Sequence, residues 1–158
     1  MTETTTPLPE ALQEIAEDFA DLAVPQRLEL LLEFSEGLPE LPQRYAGRLG
    51  DMEQVHECQS PLFLAVEVGG SADDVPGQRP VHLFFSAPPE APTTRGFAGI
   101  LHEGLDGLTV EEVLAVPDDA PYRFALGEAV SPLRLRGMVG MLNRIKRQTA
   151  LKANAPVA

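Results

Sequence analysis

The period of the apolar residues changes twice along this chain, and those two changes exclude most fold classes. Leu12, Ile15, Phe19 and Leu22 lie three or four apart, and so do Leu28, Leu31 and Leu32. That spacing puts side chains on one face of a helix. Leu62, Leu64, Val66 and Val68 then alternate with Phe63, Ala65 and Glu67, the period of a strand with one apolar face. PVHLFFS follows at 80–86, a second short run rich in aromatic and β-branched residues. From Phe97 onward the three-to-four spacing returns and persists to Ile145. Helices, then strands, then helices predict an α+β fold, with a small antiparallel sheet flanked by N-terminal helices and a C-terminal helical half.

Local signals set the boundaries. Pro25 suits the first turn of the second helix and Gly37 its end. Residues 38–54 hold prolines at 39 and 42 and glycines at 47 and 50, which predicts an irregular connection. The Gly- and Asp-rich 69–80 reads as a loop, so the two strands pair as a hairpin. Thr93 or Thr94 is expected to cap the helix that turns Phe97, Ile100, Leu101 and Leu105 inward. Thr109 and Glu112 have capping-box spacing. Ser131 and Pro132 open the last helix, whose inward face is Leu135, Met138, Met141, Leu142 and Ile145. Gly137 and Gly140 read as places where that helix packs closely against another. The 158 residues suit a single domain over 1–158, with 1–9 and 151–158 frayed.

Charge narrows the partners. The formal net charge is -12, which argues against nucleic acid and against an anionic membrane surface, since both demand a basic face. The basic residues are concentrated at one end: 131–158 carries 6 of the 12 and no acid, whereas 1–130 carries all 24 acids. Arg144, Lys146 and Arg147 suit either the dipole at the end of a helix or a docking surface. A single cysteine makes no internal disulfide, and no apolar run approaches the roughly 20 residues that span a bilayer. No signal segment opens the chain, so a cytoplasmic location is the expectation.

Most catalytic signatures are missing: there is no nucleophile elbow, no phosphate-binding loop and no H-E-x-x-H. His56 and Cys58 offer two soft ligands with nothing nearby to complete a metal site. His82 and His102 stand alone in sequence and read as packed or surface residues. Pairs such as Glu111–Glu112 and Asp118–Asp119 fit a solvated face. Cys58 remains. Beside an apolar strand a lone cysteine is ordinarily a small buried hydrophobe, but His56 and Glu57 before it, with Gln59, Ser60 and Pro61 after it, suggest a loop tip that a partner reaches.

ECQSPLFL resembles the G-C-Q-S-x-V-W-(L/I) segment of the SufE family, the cysteine desulfuration accessory proteins of iron–sulfur cluster assembly. LPELPQRY is similar to the family's L-P-E-L segment, and VSPLRLRGMVGMLNRIKR to its L-(S/T)-P-S-R-x-x-G-L-x-x-M-x-x-(R/A)-I-(R/K) helix, in the same order. TTRGFAGIL matches a fourth family segment more loosely. The likeness covers about residues 10 to 150. The chain departs from it at Glu57, where the family has glycine, at Phe63 in place of tryptophan, at Leu133 in place of serine, and at 87–91, where only Glu90 keeps an acid.

The resemblance implies a SufE/IscU-like fold and a non-enzymatic accessory role. Cys58 accepts persulfide sulfur from a pyridoxal-phosphate cysteine desulfurase (SufS-like), stimulates it, and passes the sulfur to a downstream iron–sulfur cluster scaffold. The protein itself carries no cofactor and no metal, because carbon–sulfur cleavage belongs to the partner. His56, Glu57, Gln59, Ser60, Arg134 and Glu90 are the supporting residues. His56 and Arg134 are the candidate cations for a thiolate, and Arg134 with the basic end of the last helix also faces acids on the desulfurase. Glu57 opposes the thiolate, so the loop is expected to turn it away on docking. Leu62, Phe63 and the apolar face of the helix at 95–105 are expected to cover the thiol at rest. Two rival readings stand beside this one: an interaction module with a structural buried cysteine, and a divergent IscU-like cluster scaffold, which calls for about three cysteines.

Overall fold

Pro25 has no N–H to lose at a helix start, and it opens the second of two tandem helices in the computed structural model, which describes residues 6–71 and 73–154. α1 (Glu10–Ala20) buries Leu12, Ile15, Ala16 and Phe19. α2 (Val24–Glu36) buries Leu31 and Ser35 and half-buries Leu30 and Phe34. The expected stripe is corrected here, because Leu28 and Leu32 are 41% and 46% exposed. Arg27 closes the end of α1 from the next helix: its Nε donates to the carbonyls of Phe19 and Leu22, each at 3.0 Å.

Three strands follow in the order β1-β2-β3, all antiparallel. β2 (Phe63–Val68) and β3 (Val81–Ser86) form the expected hairpin, with Val66 opposite Leu83. Buried Arg79 holds their connection, donating to the carbonyls of Gly69 (2.8 Å) and Val68 (3.2 Å). β1 (Glu53–Gln54) is the third strand, in place of the irregular connection expected there; Glu53 pairs with Leu64 and Gln54 with Phe63. Two residues are too few for a period to be visible.

α3 (Pro92–Leu105) begins at Ala91 with Pro92 in its first turn, so Thr93 and Thr94 lie inside the helix and do not cap it. Its Phe97, Ile100, Leu101 and Leu105 are buried as expected. α1 and α2 both pack on it, across Gly96, Gly99 and Gly104. α4 (Val110–Leu114) has the Thr109–Glu112 capping box with both reciprocal bonds. α5 (Pro132–Ala153) is capped by Ser131 and lies along β2 with Leu135, Met138, Met141, Leu142 and Ile145 buried.

Packing reaches further into both ends than the frayed 1–9 and 151–158 expected from sequence. Leu8 and Ala153 are buried, and Arg123 binds the Thr6 carbonyl. Residues 1–5 and 155–158 lie outside the described residues. Among the described residues no helix is long and apolar enough to cross a membrane.

Candidate functional site

β1 is short, but it fixes where the cysteine goes. After Gln54 the Val55 N–H still bonds the Leu62 carbonyl (2.9 Å), so residues 56–61 form a closed loop between paired strands. The Cys58 N–H turns back to the Val55 carbonyl at 3.2 Å. His56, Glu57, Gln59 and Pro61 are exposed on this loop, whereas Cys58 and Ser60 are half-buried.

The loop rests on α5. A Cβ placed on Gly137 would lie 2.8 Å from Cys58 Sγ and 3.5 Å from its Cα, so only glycine lets the sulfur sit there. One turn on, a Cβ on Gly140 would lie 2.9 Å from Glu57 Cδ and closer still to its Oε2. Positions 137 and 140 share a helix face, which makes one slot for the thiol and the carboxylate together. The two glycines therefore pack closely, as expected, but against the Cys58 loop. The expected cover of Leu62, Phe63 and the 95–105 helix also omitted α5, whose backbone at Gly137 closes on the sulfur.

Arg144 locks the slot from the same helix. Its two terminal nitrogens grip both oxygens of Glu57 at 2.7 and 2.8 Å, a bidentate pair. The first nitrogen also donates to the Gly140 carbonyl at 3.1 Å. Arg144 Nε is buried and donates no hydrogen bond, although Glu53 Oε2 stands 3.4 Å away. Glu53 is held by Arg147, and by Gln148 at 2.8 Å, whose own side chain accepts from the Val66 N–H at 3.0 Å. Lys146 turns to Asp118 and the Val116 carbonyl. These cations sit within α5, well before its end at Ala153, and are paired inside the molecule.

The electrostatics of the resting loop disfavour a thiolate. Burial first, and the Glu57 charge second, push the Cys58 thiol up to about 11; Arg144 pulls the other way but is outweighed. Hydrogen bonds from Arg144 hold the Glu57 carboxyl below its ordinary range. Burial alone would raise Glu53, yet the bonds from Arg147 and Gln148 leave it lowered too. At pH 7 Cys58 is therefore held as the neutral thiol in this state.

The other expected residues stand apart from the slot. Arg134 is exposed in the first turn of α5, one turn before Gly137, and makes no ion pair among the described residues. Glu90 is exposed in the turn before α3 and is likewise unpaired there. His82 and His102, solitary in sequence, converge on Asp106 at 3.6 and 3.8 Å, while Asp106 accepts from the Leu83 N–H at 2.8 Å. That acid ties α3 to β3. A cleft of about 620 Å³ beside it, lined by Glu33, Phe34, Gly99, His102 and Glu103, contains no residue of the Cys58 loop. Among the described residues no three His, Cys, Asp or Glu side chains are grouped to hold a metal ion.

Sequence reasoning missed Arg144 as a neighbour of the thiol, since 87 residues separate it from Glu57. A signal was nevertheless present. Glu57 puts an acid directly beside the cysteine, and the chain keeps its acid-free basic stretch on one helix.

The family profile described as SufE, Fe-S metabolism associated domain, matches residues 13–149. An uncharacterized SufE-like protein of Mycobacterium tuberculosis is 50% identical over 141 residues, covering 89% of this chain and 92% of its own length. The SufE-like protein 1, chloroplastic/mitochondrial, of Arabidopsis thaliana is 25% identical over 142 residues, covering 89% of this chain and 35% of that protein. The solution structure of a hypothetical protein from Thermus thermophilus superposes with a TM-score of 0.78 at 37% identity, covering 94% of this chain and 100% of that one. With the profile spanning most of its length and half of the 141 aligned residues shared with a relative of matching size, the chain belongs to the SufE family, whose domain is associated with iron–sulfur metabolism.

Proposed function

We propose that this chain is a sulfur carrier that takes sulfane sulfur from the persulfide of a cysteine desulfurase onto Cys58 and passes it to iron–sulfur cluster assembly. The observation that carries the reading is the seating of the only thiol: Cys58 is half-buried, on a loop closed by paired strands, with its sulfur against the backbone of Gly137. A core cysteine is enclosed by side chains on rigid elements. This one packs against the core from a loop, and its chain neighbours Glu57 and Gln59 are exposed.

The transfer is a displacement at divalent sulfur. Cys58 as thiolate attacks the outer sulfur of the donor persulfide. A new sulfur–sulfur bond forms at Cys58, the donor's sulfur–sulfur bond breaks, and its electron pair returns to the donor cysteine, which takes up the proton that Cys58 lost. One thiol and one persulfide exchange places with no net oxidation. Delivery repeats the step with an acceptor nucleophile attacking the Cys58 persulfide. No cofactor on this chain enters either step, and the partner's pyridoxal phosphate does the carbon–sulfur chemistry.

A thiol pushed up to about 11 is a poor nucleophile at neutral pH. The resting loop therefore suits storage, and attack calls for a rearrangement that moves Glu57 away or exposes the sulfur. His56, Gln59 and Ser60 share the loop, while Arg134 and Leu133 are exposed in the first turn of α5, where Arg134 could meet acids on a partner.

The test is intact-mass analysis after incubation with a cysteine desulfurase and cysteine. Sulfur atoms should be added to the wild-type chain and should be absent from Cys58→Ser, which should also fail to stimulate sulfide release. Stimulation that survives Cys58→Ser would defeat the carrier mechanism.

A further inference from the structure

The Glu57–Arg144 pair has a second property: it is anchored unequally at its two ends. Glu57 is 40% exposed and sits on a six-residue loop, with Arg144 as its only ion-pair partner among the described residues. Arg144 is 14% exposed and is tethered twice more, by its bond to the Gly140 carbonyl and by Glu53 facing its Nε. Glu53 is fixed in turn by Arg147 and Gln148. When the pair separates, the carboxylate is the member that leaves. The guanidinium stays on α5, one turn past Gly140, which faces the carboxylate, and two turns past Gly137, which seats the sulfur.

We propose that Arg144 is a positioning residue that clamps the Cys58 loop shut through Glu57 and, once a basic group on a docking partner draws Glu57 off, remains beside the sulfur as its cation. This rests on the sulfur-carrier reading above and adds how that site is regulated. The charged groups acting on Cys58 are Glu57 on its own loop and Arg144 on α5, with Glu53 and Arg147 behind them; the His56 imidazole shares the loop. Of these, Glu57 disfavours the thiolate and Arg144 favours it. Exchanging Glu57 for a partner's contact therefore removes the opposing charge and frees the supporting one in a single movement. Gly140 is part of the device, because any larger residue would occupy the space of the Glu57 carboxylate.

The chain alone supplies the test, through the rate at which iodoacetamide alkylates Cys58 from neutral to alkaline pH. Glu57→Ala removes the loop's end of the clamp, and Arg144→Met removes the cation while keeping an apolar stem to pack. Both should alkylate faster than wild type at pH 8, Glu57→Ala on the order of tenfold, as expected for losing a charge-assisted bidentate pair, and Arg144→Met by less, since it also loses the cation that favours the thiolate. The double variant should be no faster than the single ones, since the two side chains act as one unit.

The midpoints of the pH profiles separate positioning from simple loosening. Both loops are released, yet the midpoint for Arg144→Met should lie at least one pH unit above that for Glu57→Ala. Equal midpoints, or wild-type rates in Glu57→Ala, overturn the proposal. Glu57→Ala lies on an exposed loop, so its result stands even if Arg144→Met proves unstable. Sulfur loading by a desulfurase is scored separately: wild-type chain that takes up no sulfur sinks the carrier reading, whereas unchanged alkylation sinks only the clamp.

Discussion

Two seams in this molecule are built on glycines three apart, and what meets the glycines differs. Between α2 and α3, a Cβ on Gly96 would lie 2.6 Å from a Leu31 methyl and 2.7 Å from the Leu31 carbonyl oxygen, and one on Gly99 would lie 2.8 Å from the Phe34 carbonyl carbon. Half of the facing atoms are backbone, among them the Leu31 and Phe34 carbonyls, held in a helix by its own hydrogen bonds. At Gly137 and Gly140 the facing atoms are the ends of two side chains, Cys58 and Glu57, on a loop between short strands. The same loss of a side chain thus makes a permanent joint in one place and a seat in the other. Interiors resist change because close-packed backbone has nowhere to go, whereas a side-chain tip rotates away at little cost.

The largest expected effect breaks the joint. Gly99→Ala forces α2 and α3 apart and should destabilise the fold by about 3 kcal/mol, with a fall in melting temperature on the order of 10 °C. Cys58 alkylation below the transition should stay at the wild-type rate. A variant that melts normally would show that the seam is as yielding as the seat. Gly137→Ala acts in the opposite sense. Its methyl displaces the sulfur, so alkylation should rise about tenfold or more while stability moves by about 1 kcal/mol or less, the gain in helix propensity offsetting the lost loop contact.

Much of the joint and little of the seat was legible in sequence. The apolar periods located α1, α3 and α5 and the β2–β3 pair, because each element buries one face long enough to repeat. The period overreached at Leu28 and Leu32, where α2 presents leucines to solvent. It underreached at β1, where two residues suffice to pair and so to aim the Cys58 loop. The resemblance drew attention to Cys58, Glu57, Arg134 and Glu90, yet only the first two meet in the slot. Arg144 and the glycines come from a helix 79 or more residues away in the chain, and no local pattern links such distant positions until the fold brings them together.

Acidity and alkalinity should separate the two regions next. Glu57 and Glu53 have lowered folded values, so they contribute stability that is present above the ordinary carboxyl value of 4.5 and is lost as pH falls through their folded values. Cys58 has a raised one, so its contribution is complete below pH 9 and is lost as pH rises toward about 11. Because Glu57 is substantially exposed, the acid arm should amount to ~1 kcal/mol or less. Urea unfolding at pH 7 and pH 4 measures it, and Glu57→Ala should shrink the difference. The Gly99 joint meets helix backbone and makes no such contribution, so in the Gly99→Ala background the pH-dependent part should persist unchanged. If it vanished there, the two seams would be one cooperative unit.

The smallest effect on stability is the most discriminating. Gly140→Ala places a methyl where the Glu57 carboxylate lies, but that atom is the tip of a flexible side chain and moves aside without disturbing α5. Alanine in a helix interior is favoured over glycine by about 1 kcal/mol, close to what a displaced, partly exposed ion pair gives up. The melting temperature should therefore barely change. Cys58 alkylation should still rise severalfold, because the clamp is weakened at its Glu57 end while Arg144 keeps its place, and its pH midpoint should fall toward that of Glu57→Ala. A variant that is equally stable and equally slow would mean that the carboxylate finds Arg144 by another route, so that Gly140 only fills space. One that is clearly less stable would mean that the loop is packed as rigidly as the α2–α3 seam, and the distinction between joint and seat would fail where it was drawn most finely.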